Sequence, residues 1–305
     1  MEKVLCVGEI LIDFFCSDID VDLVEGKTFI KQPGGAPANV SAAIAKLGGQ
    51  AQFCGKVGGD SFGTYLKQTL EEIGVDTSML IEDPNAPTTL AFVSRQRGGE
   101  RDFIFHRGAD ERLTLQEIDE EQIKNIKIAH FGSATALLSD PFYSTYMELM
   151  RKLKKNGCFI SFDPNYRQDL WKGRETEFIE KVNSCVALAD FIKVSEEENE
   201  LLQIKRTGDT MLAVTMGDKG TFIAHREREG GVPSITVYSI DSTGAGDAFV
   251  GAMLAQFAQC ASLHNLPFKT LKQFTKFSNI VGALTCVRVG AITSLPTKKD
   301  VLSYM

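Results

Sequence analysis

The 305-residue chain has no Cys-x-x-Cys pair, no histidines at metal-ligand spacing, no long apolar run, no Pro- or Ser-rich linker, no low-complexity tract and no repeat of fixed period. Each absence removes a class of protein. Seven cysteines, at 6, 16, 54, 158, 185, 260 and 286, are odd in number and scattered, which fits a reducing cytosol rather than a disulfide framework. The histidines at 106, 130, 225 and 264 make a zinc site unexpected. The N-terminal apolar stretch is interrupted by Glu9 and Asp13 and is too short to span a bilayer. It also lacks the basic start and small-residue cleavage site of a secretory leader, so no membrane association is expected. A net charge of −7 argues against non-specific binding to nucleic acid or anionic membrane, and requires any phosphate affinity to come from local dipoles and metal. No Gly-x-Gly-x-x-Gly follows the first strand-like run with an acid about 20 residues on, which disfavours a dinucleotide-dependent dehydrogenase. A Walker-type Gly-x-x-x-x-Gly-Lys-Ser/Thr is missing too.

What is present is an ordinary globular composition, 43% hydrophobic and 24% charged, enough for one well-filled α/β domain with an appendage. Strand-like runs alternate with helical ones: Val4 to Ile12, then a helix near Asn39 to Lys46; Ile128 to Phe131, then a helix over about Pro141 to Lys155; Cys158 to Asp163; Phe191 to Val194, then Glu196 to Leu202; Met211 to Thr215. Such alternation predicts an α/β fold with a central, mainly parallel sheet flanked by helices on both faces. Thr88 to Gln96 and Arg101 to His106 depart from it, reading as a β-hairpin across Arg97-Gly98-Gly99-Glu100.

The most informative stretch is Asp241-Ser-Thr-Gly-Ala-Gly-Asp247-Ala-Phe249. Ile235 to Ile240, β-branched and aromatic, reads as a short strand before it; Phe249, Met253, Leu254 and Phe257 repeat at helical spacing after it. Glycines where strand passes into helix make an anion-binding turn, because the N–H groups of Gly244, Ala245, Gly246 and Asp247 can converge on one spot that the helix dipole favours for negative charge. Asp247, expected to stay ionised there, is placed to accept a proton from an attacking hydroxyl beside a phosphoryl group. The plainer reading is an Asp that only satisfies the helix end.

That turn resembles the C-terminal signature of the ribokinase-like sugar kinases, the PfkB carbohydrate kinase family. Pro33-Gly34-Gly35-Ala36-Pro37-Ala38-Asn39-Val40, the run Ala42 to Gly49, and Gly55 to Gly63 are similar to that family's N-terminal signature, and the two occur in the expected order. The resemblance covers nearly the whole chain. It implies a single ribokinase-like domain over residues 1–305 with a small β lid, its segments at about 14–32 and 88–107. It also implies ATP-dependent phosphorylation of a sugar hydroxyl. Asp163-Pro-Asn-Tyr-Arg167 resembles the fructokinase branch and the neighbouring 2-keto-3-deoxygluconate kinases, and fructose phosphorylated at the 6-position is the leading expectation.

Site residues follow from the residues and the resemblance together. Gly34 and Gly35 let backbone approach a ligand, and Asn39, in the first turn of a helix, offers donors and an acceptor to sugar hydroxyls unless it is only a cap. Asp13, at the end of a buried first strand, stands where α/β sheets bind ligands. Asn165 and Arg167 project after a strand, and Arg107 is a second basic candidate, each Arg able to grip a hydroxyl, carboxylate or phosphate or to be a solvated surface charge. Ser195 to Glu198 is a helix capping box; many family members carry Asn-x-x-Glu there, with the Glu holding a water on the nucleotide's Mg²⁺, and Ser195 departs from that Asn while Glu198 matches. Thr215, Gly217 and Gly220 match the nucleotide-side loop. Asn279 and Gly282, in a run expected to open a helix, match the purine pocket. Asp241, Thr243, Gly290 and Ser294 match positions that bind an activating K⁺ in some relatives. The hairpin is implied to be a lid over the sugar; the alternatives are a protected sheet edge or a homodimer contact. Rival functions are a 2-keto-3-deoxygluconate kinase, with Arg107 and Arg167 on the carboxylate, and a catalytically silent sugar-binding regulator.

Overall fold

The structure, a computed structural model, describes residues 2–18, 20–95, 101–206 and 208–305. In chain order its strands are β1 (Lys3–Val7), β2 (Leu11–Cys16), β3 (Phe29–Gly34), β4 (Gln50–Gly58), β5 (Asp76–Asp83), β6 (Leu90–Arg95), β7 (Arg101–His106), β8 (Ile128–Phe131), β9 (Phe159–Phe162), β10 (Phe191–Ser195), β11 (Met211–Thr215), β12 (Thr221–His225) and β13 (Arg228–Val232). The helices are α1 (Ala36–Lys46), α2 (Ser61–Ile73), α3 (Glu120–Ile123), α4 (Phe142–Lys155), α5 (Gln168–Trp171), α6 (Glu175–Val186), α7 (Glu196–Leu202), α8 (Ala245–Phe257), α9 (Phe268–Thr285) and α10 (Lys298–Leu302).

Runs such as Val4-Leu-Cys-Val and Ile128-Ala-His-Phe are apolar without alternation, as strands covered on both faces must be. They sit in one sheet of order β13-β12-β11-β10-β9-β8-β1-β4-β5. It is parallel from β11 through β5 and antiparallel only at β12 and β13. Successive residues of β1 serve opposite cores: Val4 and Cys6 pack with α1, α8 and α9, whereas Leu5 and Val7 pack with α4 and α6. Helices therefore seal both faces, and the carboxyl ends of the parallel strands remain the open rim.

A second sheet, of order β3-β2-β6-β7, stands over that rim. The expected hairpin is there, β6 and β7 pairing antiparallel from Leu90↔His106 to Arg95↔Arg101; its turn, Arg97 to Glu100, lies outside the described residues. β2 joins β6 in parallel and β3 antiparallel, so both expected lid segments form one sheet. Phe14 stacks on Phe92 at 5.1 Å and meets Phe62 of α2 edge-on, which ties the small sheet to the main domain.

Two expected strands differ. The Val4–Ile12 run is not continuous: β1 stops at Val7, Glu9 turns inward, and β2 starts again at Leu11 in the other sheet. Asp13 thus lies inside the lid's second strand rather than at the end of the first. Ile235 to Ile240 is no strand, because it has no partner ladder; Tyr238 is 87% exposed, and the backbone N–H groups of Ile240 and Asp241 go to the Cys286 carbonyl instead. Propensity without a neighbouring strand does not make a sheet.

Candidate active site

The rim and the small sheet enclose a cavity of about 720 Å³. At its floor Gly244 has φ 74°, a left-handed conformation that glycine adopts without cost, and caps α8. The turn is less open than four converging amides: Ala245 N–H donates to the Ser242 carbonyl at 3.2 Å. Asp247, in the first turn of α8, is 8% exposed and accepts from Asn39 Nδ2 at 2.8 Å. Asn39 is no cap, since Gly35 occupies that position; its Oδ1 is buried, lines the same cavity and has no partner among the described residues. The expectation that the helix end keeps Asp247 ionised meets an opposing push. Burial pushes its carboxyl up, against the Asn39 hydrogen bond and the charges of Arg167 and Lys193, because desolvation of a carboxylate outweighs the dipole of one helix end.

Most of the candidate sugar-side residues come together at the cavity. Asp13 shares a face of β2 with Leu11 and Phe15, all three lining the cavity. Gly34 makes room for it: a Cβ there would stand 2.0 Å from Asp13 Oδ2. Burial raises Asp13 to about 7, with Arg167 pulling it down and Glu9 pushing it further up. Gly35, Asn165 and Arg167 line the cavity as well; Asn165, at φ 49°, is anchored through Nδ2 to the Gly132 carbonyl at 3.0 Å, and Arg167 is exposed with Nη1 on the Tyr166 carbonyl. Arg107 is not brought to the cavity. It forms an ion pair with Asp110 at 2.8 Å, and Asp110, 1% exposed, also accepts from Thr89 and Thr135. A buried carboxylate at the root of the small sheet engages that guanidinium, so Arg107 is not a freely solvated charge.

Opposite the α8 turn, Ser195 and Glu198 form the capping box: Glu198 N–H donates to Ser195 Oγ, and the two carboxylate oxygens accept from Ser195 N and Tyr166 N, each at 2.7 Å. Glu198 faces the cavity with half of its four lone-pair sites still open, so it fits a water on a hard cation. Asp241, Thr243, Gly290 and Ser294 also come together. Asp241 accepts from Thr243 N, Thr243 Oγ1 at 2.7 Å and Gly290 N at 3.0 Å, and Ser294 Oγ donates to the Gly290 and Ala291 carbonyls. A carboxylate among carbonyl and hydroxyl oxygens is a donor set that suits a hard cation.

The nucleotide-side candidates sit outside this cavity. Gly217 and Gly220 bracket a tight turn after β11, and Thr215 Oγ1 donates to the Val194 carbonyl. Asn279 does not open a helix: α9 begins at Phe268, because the Phe268, Leu271 and Thr275 stripe already packs inward. Its side chain is engaged, accepting from Thr221 Oγ1 at 2.6 Å and donating to the Val232 and Pro233 carbonyls. Gly282 lets α9 approach the start of α8, where a Cβ would come 3.1 Å from the Ala245 carbonyl.

Sequence reasoning passed over Glu9, Lys193 and the lid aromatics. Glu9, 1% exposed, accepts from Ala36 N, Ala134 N and Ser133 Oγ, tying the start of α1 to the loop after β8. Lys193 is 7% exposed and donates to Asp163 Oδ2 at 3.0 Å. Phe15, Val93, Phe103 and Phe105 form an apolar roof. The signal existed for the two charges, each isolated in an apolar run; the roof depended on β2 and β6 pairing.

Residues 1–298 match the model of the pfkB family carbohydrate kinases. The chain belongs to that family. Among curated proteins it is 43% identical to Fructokinase-1 of Oryza sativa subsp. japonica, over all of this chain and 98% of that one. Among solved structures, an uncharacterized sugar kinase from Pyrococcus horikoshii in complex with ATP superposes with a TM-score of 0.90 at 35% identity, over 99% of this chain and 97% of that one. A fructokinase from Vibrio cholerae, bound to fructose, ADP and calcium ion, superposes at 0.85 with 32% identity, over 100% and 99%. The ribokinase-like fold, the small second sheet and a carbohydrate phosphotransferase activity are thereby those of this pfkB-family kinase.

Proposed function

We propose that this kinase transfers the γ-phosphoryl group of ATP to the 6-hydroxyl of fructose. The observation that carries it is the Asp247–Asn39 pair, buried where the glycine turn of α8 meets a cavity roofed by the lid. The fructokinase relatives supply the sugar. Asp247 accepts the proton of the attacking hydroxyl as its oxygen bonds to the γ-phosphorus; the bond from that phosphorus to the bridging oxygen breaks, and ADP leaves with the electron pair. Its raised proton affinity suits a base better than an ordinary aspartate would be, and the proton moves late in a loose transfer. Gly244, Ala245, Gly246 and Asp247 stand where the transferred charge builds. Asp13, Gly34, Gly35, Asn39, Asn165 and Arg167 hold the sugar. Glu198 would hold the nucleotide's Mg²⁺ through water, and that ion neutralises phosphate charge when bound. Asp241, Thr243, Gly290 and Ser294 would hold K⁺, and turnover in K⁺ against Li⁺ tests that.

The lid sheet exposes Ile30 and Ile104, and the β2–β3 connection exposes Val24, which supports a homodimer formed through this region, testable by sedimentation. The seven unpaired cysteines support a cytoplasmic setting, and among the described residues no helix is long and apolar enough to cross a membrane. The acidic-sugar reading loses ground because Arg107 is committed to Asp110, leaving Arg167 alone to meet a carboxylate. ADP release with Mg²⁺ and ATP, measured against fructose, ribose, tagatose, adenosine and 2-keto-3-deoxygluconate with Asp247→Asn as the blank, decides among them. Fructose should be the best substrate. Preference for the acidic sugar reassigns Arg167, and silence throughout makes the protein a sugar-binding regulator.

A further inference from the structure

The cavity is rich in carboxylates: Glu9, Asp13, Asp169, Glu197, Glu198 and Asp247 all line it, against two cations among the described residues, Arg167 and Lys193. A triphosphate entering such a space needs positive charge placed beside the transferring group. Arg167 is exposed, and its charge acts on both Asp13 and Asp247. Lys193 is different. It is the lone charge in the apolar strand Phe191-Ile-Lys-Val, and its ammonium stands against the catalytic turn: a Cβ built on Gly246 would lie 3.0 Å from Nζ. Asp163, at the end of β9 and 2% exposed, holds the ammonium at 3.0 Å. Glu198 and Asp247 are the other charges acting on it.

We propose that Lys193 is a catalytic residue whose ammonium contacts the γ-phosphoryl group in flight, and that Asp163 is the positioning residue that aims it; this rests on the kinase reading above. An ammonium has three donors, and Asp163 is the acceptor described for it, so donors remain for phosphoryl oxygens at the glycine turn. A buried lysine paired with a buried carboxylate costs desolvation, which a purely structural role could avoid with an apolar pair. Here the ammonium serves the polyanion, and the carboxylate keeps it from swinging onto Asp247 when the nucleotide is away.

Wild-type activity on the sugar panel comes first, since its absence removes the kinase reading and not the lysine's role alone. With activity established, Lys193→Met should lower kcat on the order of 10²- to 10³-fold, as loss of one preorganised donor does. ADP affinity and sugar affinity should stay near wild type, while a non-hydrolysable ATP analogue loses its advantage over ADP. A folded Met variant that keeps both its turnover and its preference for the analogue overturns the proposal, because a lysine that only neutralises buried acids would lower stability without touching that preference. Asp163→Asn should weaken the same preference to a smaller degree. Should the variants not fold, a crystal structure of the wild-type enzyme with fructose and the analogue decides: Nζ within about 3.2 Å of a γ-phosphoryl oxygen supports the assignment, and Nζ out of hydrogen-bond reach of every one ends it.

Discussion

The floor and the roof of the cavity are built on opposite rules. The floor is a glycine turn at the head of a helix packed between α1 and α9, rigid, polar, and crowded with carboxylates at buried positions. The roof is a four-stranded sheet whose inner face offers Phe15, Val93, Phe103 and Phe105, and whose opposite face leaves Ile104 in solvent. Among the described residues that line the cavity, the groups able to take a proton or meet transferring charge sit on the floor, Asp13 of β2 excepted; the rest of the roof can shape the sugar and exclude water. The difference predicts that floor substitutions act on turnover and roof substitutions on sugar affinity and on coupling.

The hardest test of that division is Asp247→Asn, expected to lower kcat on the order of 10²- to 10⁴-fold while sugar binding by calorimetry stays close to wild type. Near-normal turnover would remove Asp247 as the base. Gly246→Ala comes next. Its new methyl meets Lys193 Nζ at 3.0 Å, so the ammonium must shift, and turnover should fall by about 10²-fold without loss of folding. An unchanged kcat would mean that the turn and the lysine do not act on the phosphoryl group. From the roof, Phe105→Ala should raise the sugar KM by about tenfold or more through lost apolar burial, with kcat largely kept and more ATP hydrolysed per sugar phosphorylated. A fall in kcat matching that of the floor variants would break the distinction between the two layers.

The floor was more legible in the sequence than the roof, for a physical reason. Asp241 to Asp247 is a local device: glycines and acids at fixed spacing act through the backbone of one turn, so spacing alone conveys much of the chemistry. The same holds for the Ser195–Glu198 cap. Asn279 shows the limit, since a short window of small residues could not reveal that α9 starts at Phe268 or that Thr221 and two carbonyls would claim its amide. Arg107 shows it again. Its capture by Asp110 depends on Thr89 and Thr135, brought together by the lid root and the loop after β8. Lys193 and Glu9 were visible as isolated charges, but only assembly of β1, β9 and β10 gives those charges a place in the site.

Asp13 joins the two layers, being a floor-type group mounted on a roof strand, and its titration sharpens the comparison at smaller amplitude. Burial raises its carboxyl to about 7, well above the unfolded value of about 3.9. If ionised Asp13 accepts sugar hydroxyls, affinity for fructose should climb as pH rises through about 7 and fall below it by up to about tenfold per unit, with Asp13→Asn flattening the profile. Stability of the unliganded protein must run the other way. Between about pH 4 and 7 the native state keeps a proton that the unfolded chain has released, so the contribution of this group shrinks as pH rises through that window. Thermal unfolding of wild type against Asp13→Asn should therefore show the wild type losing ground from about pH 4 to pH 7 without sugar. With saturating fructose the trend should vanish, because the sugar binds the ionised form and the native and unfolded states then carry the same charge at this group. A wild-type affinity independent of pH across that range would place the sugar elsewhere than against Asp13, leaving the roof a purely apolar cover.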